Sequence, residues 1–309
     1  MNTTRHDRLD AGAMALMVLL CALWGFNQVA IKLAVGGISP VLQAGLRSSG
    51  AAILVWGWAR WRQIPLFARD GMLGLGVLVA LGFATEFVLL YWGLVYTTAS
   101  RAVLFLYMAP FVVALGAQLF IPGEQLRPAH VAGLVCAFAG MALAFADALA
   151  LPTYRELLGD VLELAAAFCW GATTVLIKAT RLSRISAHRA LFYQLAGSAP
   201  LLLILSPLLG EPGLVAPTPL IWSALVFQTV VVAFFSYLCW FGLIARYPVF
   251  KLSAVTFLTP LFGMAAGGIL LHEPITALLI VAAILVGSGI YLVNRVPARR
   301  VAAEEATAL

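Results

Sequence analysis

The chain has 309 residues, 63% of them hydrophobic and only 10% charged, with a mean hydropathy of +1.00. A water-soluble fold needs about a quarter of its residues charged to cover its surface, so this composition excludes one and points to an integral membrane protein. A net charge of +6 would suggest nucleic acid in a soluble protein; in a bilayer it goes with basic loops on one side, and no nucleic-acid partner is expected.

Long unbroken apolar blocks, rather than alternating strands of about ten residues, exclude a membrane barrel and predict helices. Residues 1–11 form a short polar tail on the cytoplasmic side. The apolar block after it is too long for a signal-peptide core. Gly, Pro and Arg punctuation then divides the chain into ten predicted spans, at 12–34, 41–61, 71–95, 99–121 and 127–147, then at 159–180, 187–209, 219–243, 249–270 and 274–294. Residues 148–158 form a linker on the far side, and 295–309 a cytoplasmic tail. The third and fourth spans, and the eighth and ninth, are joined so tightly that each pair must be a hairpin.

With the N-terminus in the cytoplasm, the inner segments hold 14 basic residues, the outer loops hold Arg101 and Arg155, and Lys32, Arg47 and Lys178 fall within spans, which accounts for all 19. That asymmetry supports ten spans with both ends inside. The four cysteines lie singly in apolar blocks and read as packing residues.

The chain also repeats itself. Trp24-Gly25 and Lys32 return as Trp170-Gly171 and Lys178, Pro110 as Pro260, Glu124 as Glu273 and Gly140 as Gly289, at offsets of 146 to 150 residues. Each copy, 12–147 and 159–294, contains five spans. An odd number inserts the second copy upside down, the inverted-repeat plan of secondary transporters. Two inverted halves can exchange conformations and so convert an inward-open state into an outward-open one.

Several residues are out of place in an apolar helix. At 100° per residue, Trp24, Asn27, Gln28, Ile31 and Lys32 share one arc, and Trp170, Thr173, Thr174, Ile177 and Lys178 share the matching one. Such a stripe is costly in lipid, so it lines a cavity or glues helices together. The two lysines end at opposite mouths, as gates or as snorkelling side chains. Pro110 and Pro260, mid-span, free carbonyls at Leu106 and Thr256 and read as hinges or packing kinks. Tyr107 lies three residues before Pro110, and Ser253 and Thr256 share the face of Pro260. Glu86 is the one carboxylate expected near the middle of a span. It can pair with a cation, bind a substrate ammonium or carry a coupling proton. Arg47 has only Tyr193 at the matching position and reads as a snorkelling or structurally paired residue. Trp92, Tyr96 and Trp61 fit an interfacial belt, whereas Trp24, Trp170 and Tyr237 lie too deep for one. Gly263-x-x-x-Gly267 reads as a close-packing surface, weakly suggestive of dimerisation. The four histidines form no ligand cluster, and neither a Walker loop nor an HExxH motif is present. No cofactor, metal or enzymatic activity is expected.

The Trp-Gly pairs of the first helices, the prolines of the fourth and ninth, and the Glu followed by Gly-rich fifth and tenth helices (Gly123-Glu124, Gly133, Gly140; Glu273, Gly287, Gly289) resemble the ten-helix EamA-type exporters of the drug/metabolite transporter superfamily. The resemblance covers about 12–294; His272 stands where that family often has Gly. It implies an all-α basket of ten helices around a central cavity, with the fifth and tenth outside, in a bacterial inner membrane. It further implies outward movement of amino acids, aromatic ones among them, or other small metabolites, with cationic drugs, nucleotide-linked metabolites or a channel as the alternatives. The small molecule, the lipid bilayer and protons are the expected partners, and oligomeric state is open. On this reading the substrate-binding residues are Trp24, Gln28, Glu86, Tyr107, Trp170, Thr174, Tyr237, Trp240 and Thr256, and the gating or hinge residues are Lys32, Lys178, Pro110 and Pro260.

Overall fold

Many of the helices start where a polar side chain or a proline meets an apolar run. In the computed structural model, which describes residues 8–68, 70–146, 151–271 and 277–296, Asp10 accepts the Ala13 amide at 2.8 Å and opens α1 (Ala11–Val35). Pro40 occupies the first turn of α2 (Pro40–Trp61), where its missing N–H costs nothing. α3 (Leu73–Tyr96) is followed after two residues by α4 (Ala99–Leu106), whose start Thr98 caps, and then by α5 (Ala109–Phe120) and α6 (Pro128–Ala144). The second half runs α7 (Tyr154–Ala179), a 3-10 turn at Arg181–Arg184, α8 (Ala187–Leu208), α9 (Pro219–Phe227), a π-helical stretch at Gln228–Ser236, α10 (Tyr237–Arg246), α11 (Val249–Val255), α12 (Leu258–Leu271) and α13 (Ala277–Arg295). Every regular element among the described residues is helical.

Among the described residues, eight helical stretches are long and apolar enough to cross a bilayer, and Pro128–Ala144 is a shorter apolar one. The less apolar α2 keeps its polar residues inside, with Gln43, Arg47 and Ser48 all buried. Two predicted boundaries move. α7 begins at Tyr154, not at 159, because Thr153 and Glu156 form a reciprocal capping box. That adds a turn and puts Glu163 a third of the way along the helix, where it is fully buried. The fourth and ninth spans are each two helices broken just before the proline, at Tyr107–Met108 and Thr256–Phe257. The Thr256 carbonyl is not left free there: it accepts the Thr259 amide at 2.9 Å in a tight turn. His272 and Glu273 lie outside the described residues, as do 1–7 and 297–309 of the two tails, 147 at the end of the first repeat and 148–150 of the linker.

The halves interlock rather than sit side by side. α1 packs on α12 and on the α9–α10 stretch, forming one wall; α7 packs on α3, α4 and α5, forming the other. α2 and α8 join the walls along one side, and α6 pairs with α13. The α6–α13 pair is a backbone contact through glycine: a Cβ on Gly133 would lie 2.8 Å from the Gly289 carbonyl oxygen, and one on Gly140 would lie 2.9 Å from that of Ala282.

The same device explains the two Trp-Gly pairs. A Cβ on Gly25 would lie 2.6 Å from the Gly263 nitrogen and 2.8 Å from the Thr259 oxygen, so α1 meets the α12 backbone directly. On Gly171 it would lie 2.6 Å from Val112 Cβ, so α7 meets α5 the same way. Each glycine lets the first helix of one repeat lie against the proline-bearing helix of the other, α1 on α12 (Pro260) and α7 on α5 (Pro110), with its tryptophan turned inward. Gly263 thus serves packing inside the chain.

Candidate functional site

Between the walls lies a cavity of about 180 Å³, lined from both repeats. Trp24, Asn27, Gln28 and Ile31 come from α1, and Trp170, Thr173, Thr174 and Ile177 from α7. These are the two stripes read from the sequence without their lysines. Glu86 and the Phe83, Phe87 and Tyr91 ladder come from α3, Tyr107 from the break in the fourth span, and Tyr237 and Trp240 from α10. Eight of the nine residues named from the sequence therefore meet in one space. The ninth does not. Thr256 is buried away from the lining, and its hydroxyl donates to the Ser253 carbonyl at 2.7 Å; Thr259, one turn on, lines the cavity instead. The break before Pro260 turns the chain, so a face drawn for a continuous helix selects the wrong threonine.

The aromatic walls are fixed by edge contacts. Trp24 donates its indole N–H to Ser236 Oγ at 2.9 Å and meets Trp240 edge-on at 5.6 Å. Tyr107 and Trp170 pack edge-on at 5.7 Å, the same arrangement from the opposite repeat. The walls are mainly apolar, with a few polar groups: Glu86, Arg47, Gln194, Asn27, Thr173, Thr174 and Thr259. An apolar cavity of about 150 Å³ holds one benzene ring, so this one suits a small metabolite with one ring or a branched chain.

One end of the cavity is latched. Lys178, in the last turn of α7, is 2% exposed and donates to the carbonyls of Ile244 and, at 3.0 Å, Tyr247. Its ammonium is 3.8 Å from Glu124, whose other oxygen accepts the Val249 amide at 2.8 Å. The cluster ties the α7 wall to the α10–α11 junction of the other wall. Ile177 lines the central cavity, while Lys178 lines a second, polar cleft with Arg181 and Arg184. Lys178 therefore stands between the two spaces. Lys32 does not mirror it: it is exposed in the last turn of α1 and lines neither space. A further buried ion pair, Arg101 with Asp160, ties α4 to α7 within one wall and is braced by Thr97 donating to Asp160 at 2.8 Å.

The residue that sequence reasoning misplaced is Arg47. It is buried and lines the cavity, with its guanidinium carbon 4.5 Å from the centre of the Phe87 ring. The signal was available: an arginine eight residues into an apolar span is too far from the interface to snorkel easily.

A helical bundle with an aromatic-walled central cavity, built from two copies of one repeat, has the architecture of a membrane transporter. The EamA-like transporter family matches this chain twice, at residues 12–146 and 157–295, and the chain belongs to that family, within the drug/metabolite transporter superfamily. It is 29% identical over 291 residues to a "Probable amino-acid metabolite efflux pump" of Salmonella typhimurium, covering 91% of this chain and 93% of that protein. Its identity to the Escherichia coli protein of the same description is 28% over 294 residues, with the same coverage. A solved structure described only as a crystal structure of protein shares the fold, with a TM-score of 0.80, 21% identity, and coverage of 92% and 96%.

Proposed function

We propose that this chain exports amino acids, or small metabolites related to them, across a bacterial inner membrane by alternating access. The observation that carries the reading is the cavity itself: a cation, a carboxylate and stacked aromatic faces converge on a space sized for one small zwitterion. The relatives described as amino-acid metabolite efflux pumps, aligned over nine-tenths of the chain, support the substrate class. The distribution of basic residues supports ten spans, with both termini cytoplasmic and the two repeats inverted.

In this reading Trp24, Gln28, Glu86, Tyr107, Trp170, Thr174, Tyr237 and Trp240 hold the substrate. The breaks before Pro110 and Pro260 are the hinges, since each lets half a span tilt without stretching a continuous ladder of hydrogen bonds. The Lys178 cluster is the cytoplasmic gate, so the state described here is closed inward. Counterflow in proteoliposomes tests the reading: labelled phenylalanine or another apolar amino acid should accumulate against unlabelled substrate inside. No exchange of any amino acid would overturn it.

A further inference from the structure

Among the described residues, Arg47 is the one buried cation with side-chain nitrogens left without a hydrogen-bond partner. Arg101 meets Asp160, Arg189 meets Asp70, Lys178 meets Glu124 and two carbonyls, and Lys251 donates to the carbonyls of Asn294 and Val296. Arg47 is 2% exposed, and its Nε and Nη2 have no hydrogen-bond partner. A buried charge with open donors is costly and persists where something else completes it.

The surroundings indicate what that is. The guanidinium rests 4.5 Å above the Phe87 ring centre and 6.0 Å from that of Tyr237, both cavity walls, so aromatic faces hold the planar fork in one orientation. The two unpartnered nitrogens are adjacent on that fork, the geometry that grips a carboxylate through two parallel bonds. In the same cavity, Asn27 Oδ1 on α1 is also buried without a hydrogen-bond partner, and the buried Thr259 hydroxyl lines it from α12. The cavity thus has a donor-rich pole on α2, a second polar pole on the α1–α12 wall and apolar surface elsewhere.

We infer that Arg47 is a substrate-binding residue that anchors the carboxylate of the cargo, so that the protein selects small monocarboxylates with an apolar or aromatic body and discriminates against compounds that are only cationic. The inference deepens the export reading and rests on the same cavity. It also separates the substrate alternatives: a cationic drug meets like charge at Arg47, whereas an amino acid finds a cation for its carboxylate and Glu86, Asn27 and Thr259 for its ammonium.

Ligand binding to purified protein, read by quenching of the cavity tryptophans, tests it with three probes of one shape: L-phenylalanine, 3-phenylpropionate and phenethylamine. The parent should bind the two carboxylates and take up phenethylamine at least about tenfold more weakly. Arg47→Gln should weaken both carboxylates by about 30-fold or more while binding phenethylamine at least as well as the parent does. Arg47→Lys, which keeps the charge and loses the fork, should fall between and serves where the glutamine variant does not fold. Undiminished carboxylate binding in either folded variant, or a parent that prefers phenethylamine or binds none of the three, overturns the assignment. Amino-acid counterflow that persists in Arg47→Gln with unchanged affinity sinks the anchor and leaves export standing. Arg47-dependent binding of phenylpropionate without any amino acid keeps the anchor and sinks the amino-acid reading.

Discussion

Lys178→Met removes the cation from the latch while keeping most of the side chain's volume. In the parent the ammonium is almost fully buried, with the Ile244 and Tyr247 carbonyls as acceptors and Glu124 at 3.8 Å. Hydrogen bonds from a charged donor are worth about 1.5–3 kcal/mol each, and breaking a buried ion pair costs about 3–5 kcal/mol. These overlap, so about 3 kcal/mol is a fair loss for the latched state. An opened inner end separates α7 from the α10–α11 junction and has none of these contacts, so the whole loss is differential between the two states. At 1.4 kcal/mol per tenfold, the latched-to-open ratio should fall by roughly 100-fold. A parent that is about 99% latched would become about half open. Spin labels at Arg184 and Arg246, both exposed at that end, report the gap by pulsed electron resonance, once the four native cysteines are replaced by alanine. The variant should show a second, longer distance. A distribution unchanged from the parent's would refute the latch, whatever transport does.

Other substitutions test the packing and the cavity. Gly25→Val puts a branched side chain where even a Cβ lies 2.6 Å from backbone nitrogen, so α1 must leave α12; a drop of several degrees in the detergent melting temperature is expected, and an unchanged melt would contradict the contact. Thr259→Val should weaken amino-acid binding about five- to tenfold by removing a cavity hydroxyl, whereas Thr256→Val should lower stability with affinity unchanged; the reverse pattern would restore Thr256 to the site. Glu86→Gln should reduce zwitterion counterflow about tenfold or more while sparing a simple monocarboxylate; equal losses for both would deny it a role at the ammonium. The Arg189 guanidinium, hydrogen-bonded to Asp70, holds that carboxyl at about 2, below its ordinary 3.8. Because the folded value is depressed, the pair's stabilisation is present above about pH 4 and is lost as pH falls toward about 2. Asp70→Asn should therefore melt below the parent by a constant interval at neutral pH, and the two melts should converge in acid; an interval that widens in acid would reverse the assignment.

The sequence by itself determined the class, the repeat and most of the cavity. In lipid every backbone polar group must be paired within its own segment, so hydropathy alone dictates helices of membrane length. A polar stripe such as Trp24, Asn27, Gln28 has nowhere to face but inward. The Trp-Gly spacing, repeated 146 residues on, then marks the same surface twice. What helical periodicity could not supply was anything that depends on where one helix ends or what stands opposite it. The Thr153–Glu156 box lengthens α7 and buries Glu163. The break before Pro260 rotates Thr259 into the cavity and Thr256 out of it. Lys32 and Lys178 occupy equivalent places in the two repeats, yet Lys178 is buried among carbonyls and a carboxylate from other helices, whereas Lys32 is exposed. Arg47, read from the sequence as snorkelling or structurally paired, comes to line the cavity against Phe87 and Tyr237, which distant segments bring to it. Burial can be read along one helix because it follows from the solvent that helix meets. Partnership cannot, because it belongs to pairs of helices, and only the packed structure decides those.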